Sequence, residues 1–396
     1  MRLTVLIALA AAAAAFQQQP QQPPPLPVDE GIKTLVERLD LEKYKATIQG
    51  LTQFGDRRQG TDRNRAAVDW IDAQLRSYGC ATDRIKYAYQ PPPPNPNAGR
   101  GGGARGTAAQ GGGRLRGIRG RTGVNTDPMK QPDEKLRALN SQPTEPGPRE
   151  AVYCTKVGTS RPGEMYLVSA HMDGHGWGEA ANDDGSGTAL VLELARVFSG
   201  ADVRTERSIR FALWNNEETG LNGARAYVEQ RQALQGKEDP PGSGKFPEPK
   251  WLGIIQHDMM LFDHGMPLAD GTIPNEQRPE ADVNIEFQSN SKMAAESQAL
   301  AWALQVANER YATDYPAVVG SHMTNTDTRP FQDLIPSISL RENERGTQIG
   351  AGWDPQWHQP TDVYATYSDK DFRLGLNAAQ TTLAGVAQLA GAGVKE

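Results

Sequence analysis

The chain reads as an α/β protein with a mixed, mostly parallel central sheet and helices on both faces. From Glu150 onward, strand-length runs alternate with longer stretches of helical periodicity, the pattern of a sheet covered by helices. Tyr166 to Ala170 is a short apolar run of the kind a buried parallel strand shows. Three predicted strands run into histidine or acidic residues at their carboxyl ends, the edge at which open α/β sheets collect ligands.

The N-terminal stretch MRLTVLIALAAAAAAFQQQP joins one arginine to an apolar segment and a run of alanines, the parts of an export signal. Its apolar run falls short of the roughly 18 residues that a membrane span needs. Residues 1–15 are therefore read as a signal peptide and 16–28 as a proline- and glutamine-rich tether. The mature protein is expected to be periplasmic or extracellular, without stable membrane insertion. A net charge of −6 on 396 residues, with 37% hydrophobic and 23% charged, suits a soluble enzyme and argues against a general nucleic-acid-binding surface. Length alone would suggest two domains. No second run of core-forming elements lies outside the alternation, so a single domain over 29–396 is expected.

From Asp29 the pattern is helical through Gly31 to Leu51. After the polar, turn-rich FGDRRQGTDRN, Arg65 to Tyr78 puts Ala67, Trp70, Ile71 and Leu75 on one helical face and stops at Gly79, a C-cap glycine. Ile85 to Tyr89 is a candidate strand. Organisation is then lost until Arg149. Residues from about 91 to 148 are rich in proline, glycine and arginine. They are read as a surface insertion rather than an RNA-binding arginine-glycine tract. Glu150 to Val157 and Glu164 to Ala170 look like neighbouring strands, and Gly187 to Phe198 is a helix. Further strands are expected at Arg207 to Trp214, Trp251 to Gln256, Val283 to Phe287 and Ile335 to Leu340. Helices are expected at Gly223 to Gln232, Met293 to Tyr311 and Asp369 to Ala390. Cys80 and Cys154 each lie beside a predicted strand; export permits them to pair, and two buried thiols are the equal alternative.

His171 and Asp173 follow YLVSA, Glu217 and Glu218 follow IRFALWNN, and Asp258 follows WLGIIQH. If those strands are parallel neighbours, the side chains converge on one edge of the sheet. Carboxylates so gathered repel unless a cation sits among them. Imidazole with carboxylate suits zinc, and a bridging carboxylate suits two ions roughly 3.5–4 Å apart. Such a site offers hydrolysis, with a carboxylate that is not a ligand taking a proton from water. Glu217 and Glu218 fit that division because consecutive side chains at a strand end diverge. Asp183 competes with Asp184, which can cap the following helix, and Asp258 competes with His257. His175, His264 and His322 are read as surface or supporting residues.

The segments SAHMDG, ANDDGSGTA, LWNNEETGLNGARAY, QHDMM and PQWHQPTDVY, in this order and with these separations, resemble the co-catalytic dinuclear zinc exopeptidase family, peptidase family M28. That family includes bacterial leucyl aminopeptidases and glutamate carboxypeptidases. The resemblance covers nearly all of the chain from about Asp29, apart from the insertion. It implies the zinc exopeptidase, phosphorylase/hydrolase-like fold and two zinc ions, with cobalt or manganese as substitutes. Carried over by position, it implies that His171 and Asp258 bind one zinc, that Glu218 and His358 bind the other, and that Asp183 bridges them. Glu217 would be the general base, and Asp173 would orient His171 from behind. The chain departs in having Thr328 after Asp327, where a histidine is common, and Gly174 where a serine is frequent. The function so implied is an exported zinc-dependent exopeptidase acting on peptides, first as an aminopeptidase. A carboxypeptidase of the same family and a non-catalytic binding relative are the alternatives. SLRENERG leaves amine and carboxylate recognition open, with Glu342 and Glu344 for the one and Arg341 and Arg345 for the other.

Overall fold

In chain order the strands are β1 (Thr82–Tyr89), β2 (Gly147–Lys156), β3 (Arg161–His171), β4 (Val203–Arg204), β5 (Arg207–Trp214), β6 (Lys250–His257), β7 (Val283–Phe287), β8 (Ala317–Gly320), β9 (Ser337–Arg341) and β10 (Gly393–Val394). They come from a computed structural model that describes residues 27–90, 123–262, 283–323, 325–342 and 354–395. Eight of them form one sheet in the order β1-β2-β5-β3-β6-β9-β7-β8, and β4 pairs with β10 separately. Neighbours among β5, β3, β6 and β9 are parallel. β2 runs antiparallel to β1 and β5, and β7 antiparallel to β9. The register aligns His171 with Trp214, Ala170 with His257, and His257 with Leu340, so all four parallel strands end at one edge.

One expectation about neighbours is corrected: β2 and β3 are consecutive in sequence, yet β5 lies between them. The physical reason is the burial of β5 on both faces. Ile209, Phe211 and Leu213 enter one core, while Ala212 and Trp214 enter the other. A strand apolar on both sides takes an interior position. β8 was not foreseen; it is the short run AVVG, paired in parallel with β7.

The helices are α1 (Glu30–Val36), α2 (Leu41–Thr52), α3 (Asp62–Ser77), α4 (Glu134–Asn140), α5 (Gly185–Phe198), α6 (Asn222–Arg231), α7 (Ala294–Tyr311) and α8 (Asp369–Ala390). The helical pattern expected to run unbroken through Gly31 to Leu51 is two helices. Asp40 caps α2 by accepting from the N–H groups of Glu42 and Lys43, which starts a new helix where the first has ended. α1, α2, α3, α5, α7 and α8 contribute to the larger core, which holds Val168, Ala170, Phe211 and Ile255 from the sheet. Every residue of α5 except Arg196 is buried, and each fully buried Leu or Val there contributes roughly 1.5–3 kcal/mol. On the opposite face α6 packs an aromatic cluster: Tyr227 stacks on Trp251 with ring centroids 5.4 Å apart and meets Trp214 at 5.1 Å.

Cys80 and Cys154 form a disulfide with Cα atoms 5.7 Å apart, tying the turn after α3 to β2. Part of the stretch expected to be unstructured carries regular elements. Residues 123–146 carry a 3-10 turn at Pro128–Lys130 and the helix α4, capped by Asp133, and Gln131 and Asn140 are buried. Side-chain amides rather than an apolar face hold this segment, so its composition resembled a loop. Residues 91–122 lie outside the described residues, as do the expected export signal and most of the tether. No helix among the described residues is long and apolar enough to cross a membrane.

Candidate metal centre

His171 is the last residue of β3, and its backbone is fixed on both sides. Its N–H donates to Asp184 Oδ2 at 3.1 Å, and its carbonyl accepts from Thr188 Oγ1 at 2.7 Å. The ring Nδ1 lies 2.9 Å from the Asp173 carbonyl oxygen. Nε2 is thereby turned toward Asp183 Oδ1 at 3.2 Å and Asp258 Oδ1 at 3.8 Å. Asp258 directly follows β6, and Arg341 Nη2 reaches its Oδ2 at 2.6 Å. The two competing pairs separate as their chemistry suggests. His257 points the other way, with Nδ1 3.1 Å from the Ser169 carbonyl and Nε2 2.8 Å from Thr382 Oγ1. Burial lowers its pKa to about 4. Asp184 caps α5 by accepting from the Gly187 N–H at 2.9 Å and also accepts from the Met259 N–H at 3.2 Å. Asp183 is left facing the site.

A second group lies on the other side of Asp183. His358 Nε2 is 2.9 Å from both Glu218 Oε2 and Asp183 Oδ2. His175 Nε2 is 3.0 Å from Glu218 Oε2. The His175 and His358 rings meet edge to face at 4.0 Å, and Trp357 stacks on His358 at 3.9 Å. His175, read from the sequence as a surface or supporting residue, lies within this group. The signal that would have found it is the alternation of glycines in DGHGWG. Gly176 has φ +103°, and a Cβ there would lie 2.4 Å from the His358 carbonyl carbon. A Cβ on Gly178 would lie 2.6 Å from the Asp362 carbonyl oxygen. Only a bare backbone lets this loop lie against the one carrying His358. The departure at Gly174 has the same origin, since its Cβ would lie 2.5 Å from that of Ala180.

Both loops are braced by residues that carried no role in the sequence reading. Arg57, fully buried, donates to the carbonyls of Met172, Glu179 and Ala180 at 2.7, 2.8 and 2.7 Å. Gln131 Nε2 donates to the carbonyls of Trp177 and Pro360, at 2.8 and 2.9 Å. Asn140 Nδ2 donates to the Gly178 carbonyl at 2.7 Å, and the Asn125 N–H donates to the His358 carbonyl at 3.0 Å. Three of these four residues come from the supposed insertion.

Asp183 therefore presents Oδ1 to His171 and Oδ2 to His358. Its own N–H donates to Asp362 Oδ2 at 3.1 Å. Each group, His171 with Asp183 and Asp258 on one side and His175 with Glu218 and His358 on the other, offers ligand atoms within 4.8 Å of one another. Glu217 sits beside them, and its N–H donates to Asp173 Oδ1 at 3.0 Å. The Asp173 carboxylate is thus not the group on His171: its Oδ1 is 4.0 Å from Nδ1, and its carbonyl oxygen is the nearer contact.

The electrostatics follow from packing these charges away from water. Burial opposes the charge on Glu218, yet His175 and His358 hold its carboxyl down to about 2. Burial likewise disfavours a charged His358, yet Glu218 and Asp183 push its pKa up to about 10. Burial, with Asp327 and Glu218 nearby, drives Glu217 well above the usual carboxylate range, against the pull of His171. Burial raises Asp173 to about 6. Imidazolium protons here stand where a metal cation would serve the same carboxylates. Asp183 Oδ2, Glu218 Oε1, His175 Nε2 and His358 Nδ1 are buried without a well-formed hydrogen bond, a costly arrangement unless another partner completes it. Nitrogen and oxygen donors of these types are those zinc accepts, so the residues fit the ions.

A cavity of about 330 Å³ opens on both groups and on Glu217, with Gly220, Asn325, Arg341 and Trp357 completing its wall. Arg341, one of two candidates for a substrate carboxylate, is engaged by Asp258. Glu342, expected for an amine, is buried and accepts from Asn182 Nδ2 at 3.2 Å. His322 is exposed. Glu344, Arg345 and His264 lie outside the described residues.

Residues 152–381 match the family model described as Peptidase family M28. The chain is 27% identical over 269 residues to the probable lipoprotein aminopeptidase LpqL of Mycobacterium tuberculosis, covering 66% of this chain and 48% of that protein. It is 36% identical over 74 residues to leupeptin-inactivating enzyme 1 of Streptomyces exfoliatus, covering 19% and 17%. The chain thus spans less than half the length of these curated relatives. Among solved structures, BSAP, a zinc aminopeptidase from Bacillus subtilis, superposes with a TM-score of 0.60 at 15% identity, covering 90% of this chain and 96% of that one.

Proposed function

Because the chain belongs to peptidase family M28, we propose that it is an exported zinc-dependent exopeptidase, and specifically an aminopeptidase that removes the N-terminal residue of peptides. The observation that carries this reading is Asp183, whose two oxygens face two separate groups of metal-type donors with Glu217 alongside. In this proposal His171 and Asp258 hold one ion, Glu218 and His358 hold the other, and Asp183 is shared. Two bound zinc ions would supply Lewis acidity, polarising the scissile carbonyl and lowering the pKa of water.

The chain's own residues divide the remaining work. Glu217 takes a proton from the attacking water as oxygen adds to the carbonyl carbon. It then returns that proton to the departing nitrogen as the C–N bond breaks, so it ends each cycle as it began. Asp173 fixes the main chain of Glu217 through the N–H bond, and its carbonyl sets the His171 tautomer that leaves Nε2 toward the ions.

The described candidates in SLRENERG do not choose between the termini, since Glu342 is engaged by Asn182 as Arg341 is by Asp258. The amino-terminal preference rests on the name of LpqL, a relative matched over 269 residues, while carboxypeptidase Q proteins match over shorter stretches. Export accords with the leader-like N-terminal sequence and with the lipoprotein named among the relatives.

The test is a panel of aminoacyl substrates and of dipeptides blocked at one terminus or the other, assayed before and after chelation. Cleavage of free-amine substrates only, abolished by chelator and restored by zinc, is the expected result. Activity that requires a free carboxyl terminus would assign the carboxypeptidase alternative, and activity unaffected by chelation would overturn the metal reading.

A further inference from the structure

Within the dinuclear reading just given, on which the inference rests, we propose that His175 is a third donor to the ion held by Glu218 and His358. The side chain lies with them in one group whose ligand atoms are within 4.8 Å of one another. Its Nε2 is 3.0 Å from Glu218 Oε2, and its ring meets that of His358 at 4.0 Å. That nitrogen is buried and makes no well-formed hydrogen bond beyond its approach to Glu218, and Glu218 Oε1 and His358 Nδ1 are buried without one as well. Three donor side chains turned onto one point with buried polar atoms left over are better completed by a cation than by one another.

The loop is shaped for this placement. Gly174, Gly176 and Gly178 each sit where a Cβ would strike neighbouring atoms at 2.5, 2.4 and 2.6 Å. The main chain around His175 is therefore drawn tightly onto the loop of His358, and Gln131 and Asn140 hold the carbonyls of Trp177 and Gly178 in that place.

The consequence is an unequal pair. His175, Glu218, His358 and Asp183 give one ion four protein donors, the number of a closed tetrahedral zinc site. His171, Asp258 and Asp183 give the other ion three, the number of a site with an open position. The chain is then expected to hold one divalent ion tightly and the other loosely, with water and substrate admitted at the His171 side.

The measurement is zinc content of the full chain by elemental analysis, with competition against a chelator of known affinity, on wild type, His175→Ala and His175→Phe. Phe keeps a ring against His358 and removes only the nitrogen. Wild type should show two classes of ion, and both variants should lose affinity for the tighter one by about 10-fold or more while retaining the weaker one; loss of even an indirect partner costs about 10–100-fold. If His175→Phe binds both ions as wild type does, His175 only packs and the inference falls while the dinuclear reading stands. If wild type itself binds no zinc, that reading has failed first. Melting temperature, read in parallel on the metal-free proteins, separates a folding defect from a lost donor.

Discussion

His171, Asp183 and Asp258 form one side of the centre; His175, Glu218 and His358 form the other. The first side is made by strands. β3 and β6 are adjacent and parallel, with Ala170 aligned to His257, and His171 and Asp258 stand at their ends with α5 directly behind. The second side is made by loops whose approach depends on bare glycines and on amides donated by residues 125, 131 and 140. Rigid elements give precision without further support, whereas loops need positions locked by packing and hydrogen bonds. The two sides therefore share a carboxylate but should fail in different ways.

The largest effect is expected where the two sides meet. Asp183→Ala removes the shared carboxylate, so both ions should be lost on dialysis and hydrolysis should fall to background. Retention of one ion at wild-type affinity would show that the sides are independent. Next in size is Glu217→Gln. It should lower turnover by about 10² or more, the range for a lost general base, while zinc content stays at the wild-type level. A parallel loss of zinc would instead make Glu217 a ligand.

A smaller effect separates the sides. Gly176→Ala forces the loops apart where a Cβ would lie 2.4 Å from the His358 main chain. It should weaken the Glu218–His358 ion by about 10–100-fold, as loss of supporting structure does, and leave the His171 ion unchanged by chelator competition. Equal weakening of both would erase the contrast between strand-built and loop-built sides.

The last effect, on stability alone and away from metal and turnover, concerns His257, which stands next to Asp258 but faces the opposite core. Its folded pKa, about 4, lies below the ordinary value near 6.5. The unfolded chain then binds a proton that the folded chain refuses, so stability is full above pH about 6.5 and is lost as pH falls toward 4. The size is about 3 kcal/mol. In metal-free protein, His257→Gln should flatten the fall in melting temperature over that window. An unchanged pH profile would mean that the acid sensitivity arises at other groups.

Much of the strand-built side was legible because periodicity and termini are local signals. Arg207 to Trp214, Val283 to Phe287 and Asp369 to Ala390 were read with the boundaries the structure gives. The ends of β3 and β6 therefore fell where His171 and Asp258 are. Asp184 as a cap and His257 as a core residue likewise follow from position along one element. Of the loop-built side, Glu218 was legible from its place after a predicted strand, and His358 only through the family resemblance. His175 and Arg57 act through contacts between segments far apart in the chain, and the amides of Asn125, Gln131 and Asn140 lie in a stretch whose composition resembles a tether. The place of β5 between β2 and β3 is also a tertiary choice, made by burial on both its faces rather than by sequence order.

The most direct measurement is anomalous diffraction at the zinc edge from crystals of the zinc-loaded full chain. The account predicts two peaks roughly 3.5–4 Å apart, the usual dinuclear separation, one on each side of the Asp183 carboxylate. A single peak, or peaks away from Asp183, would contradict it.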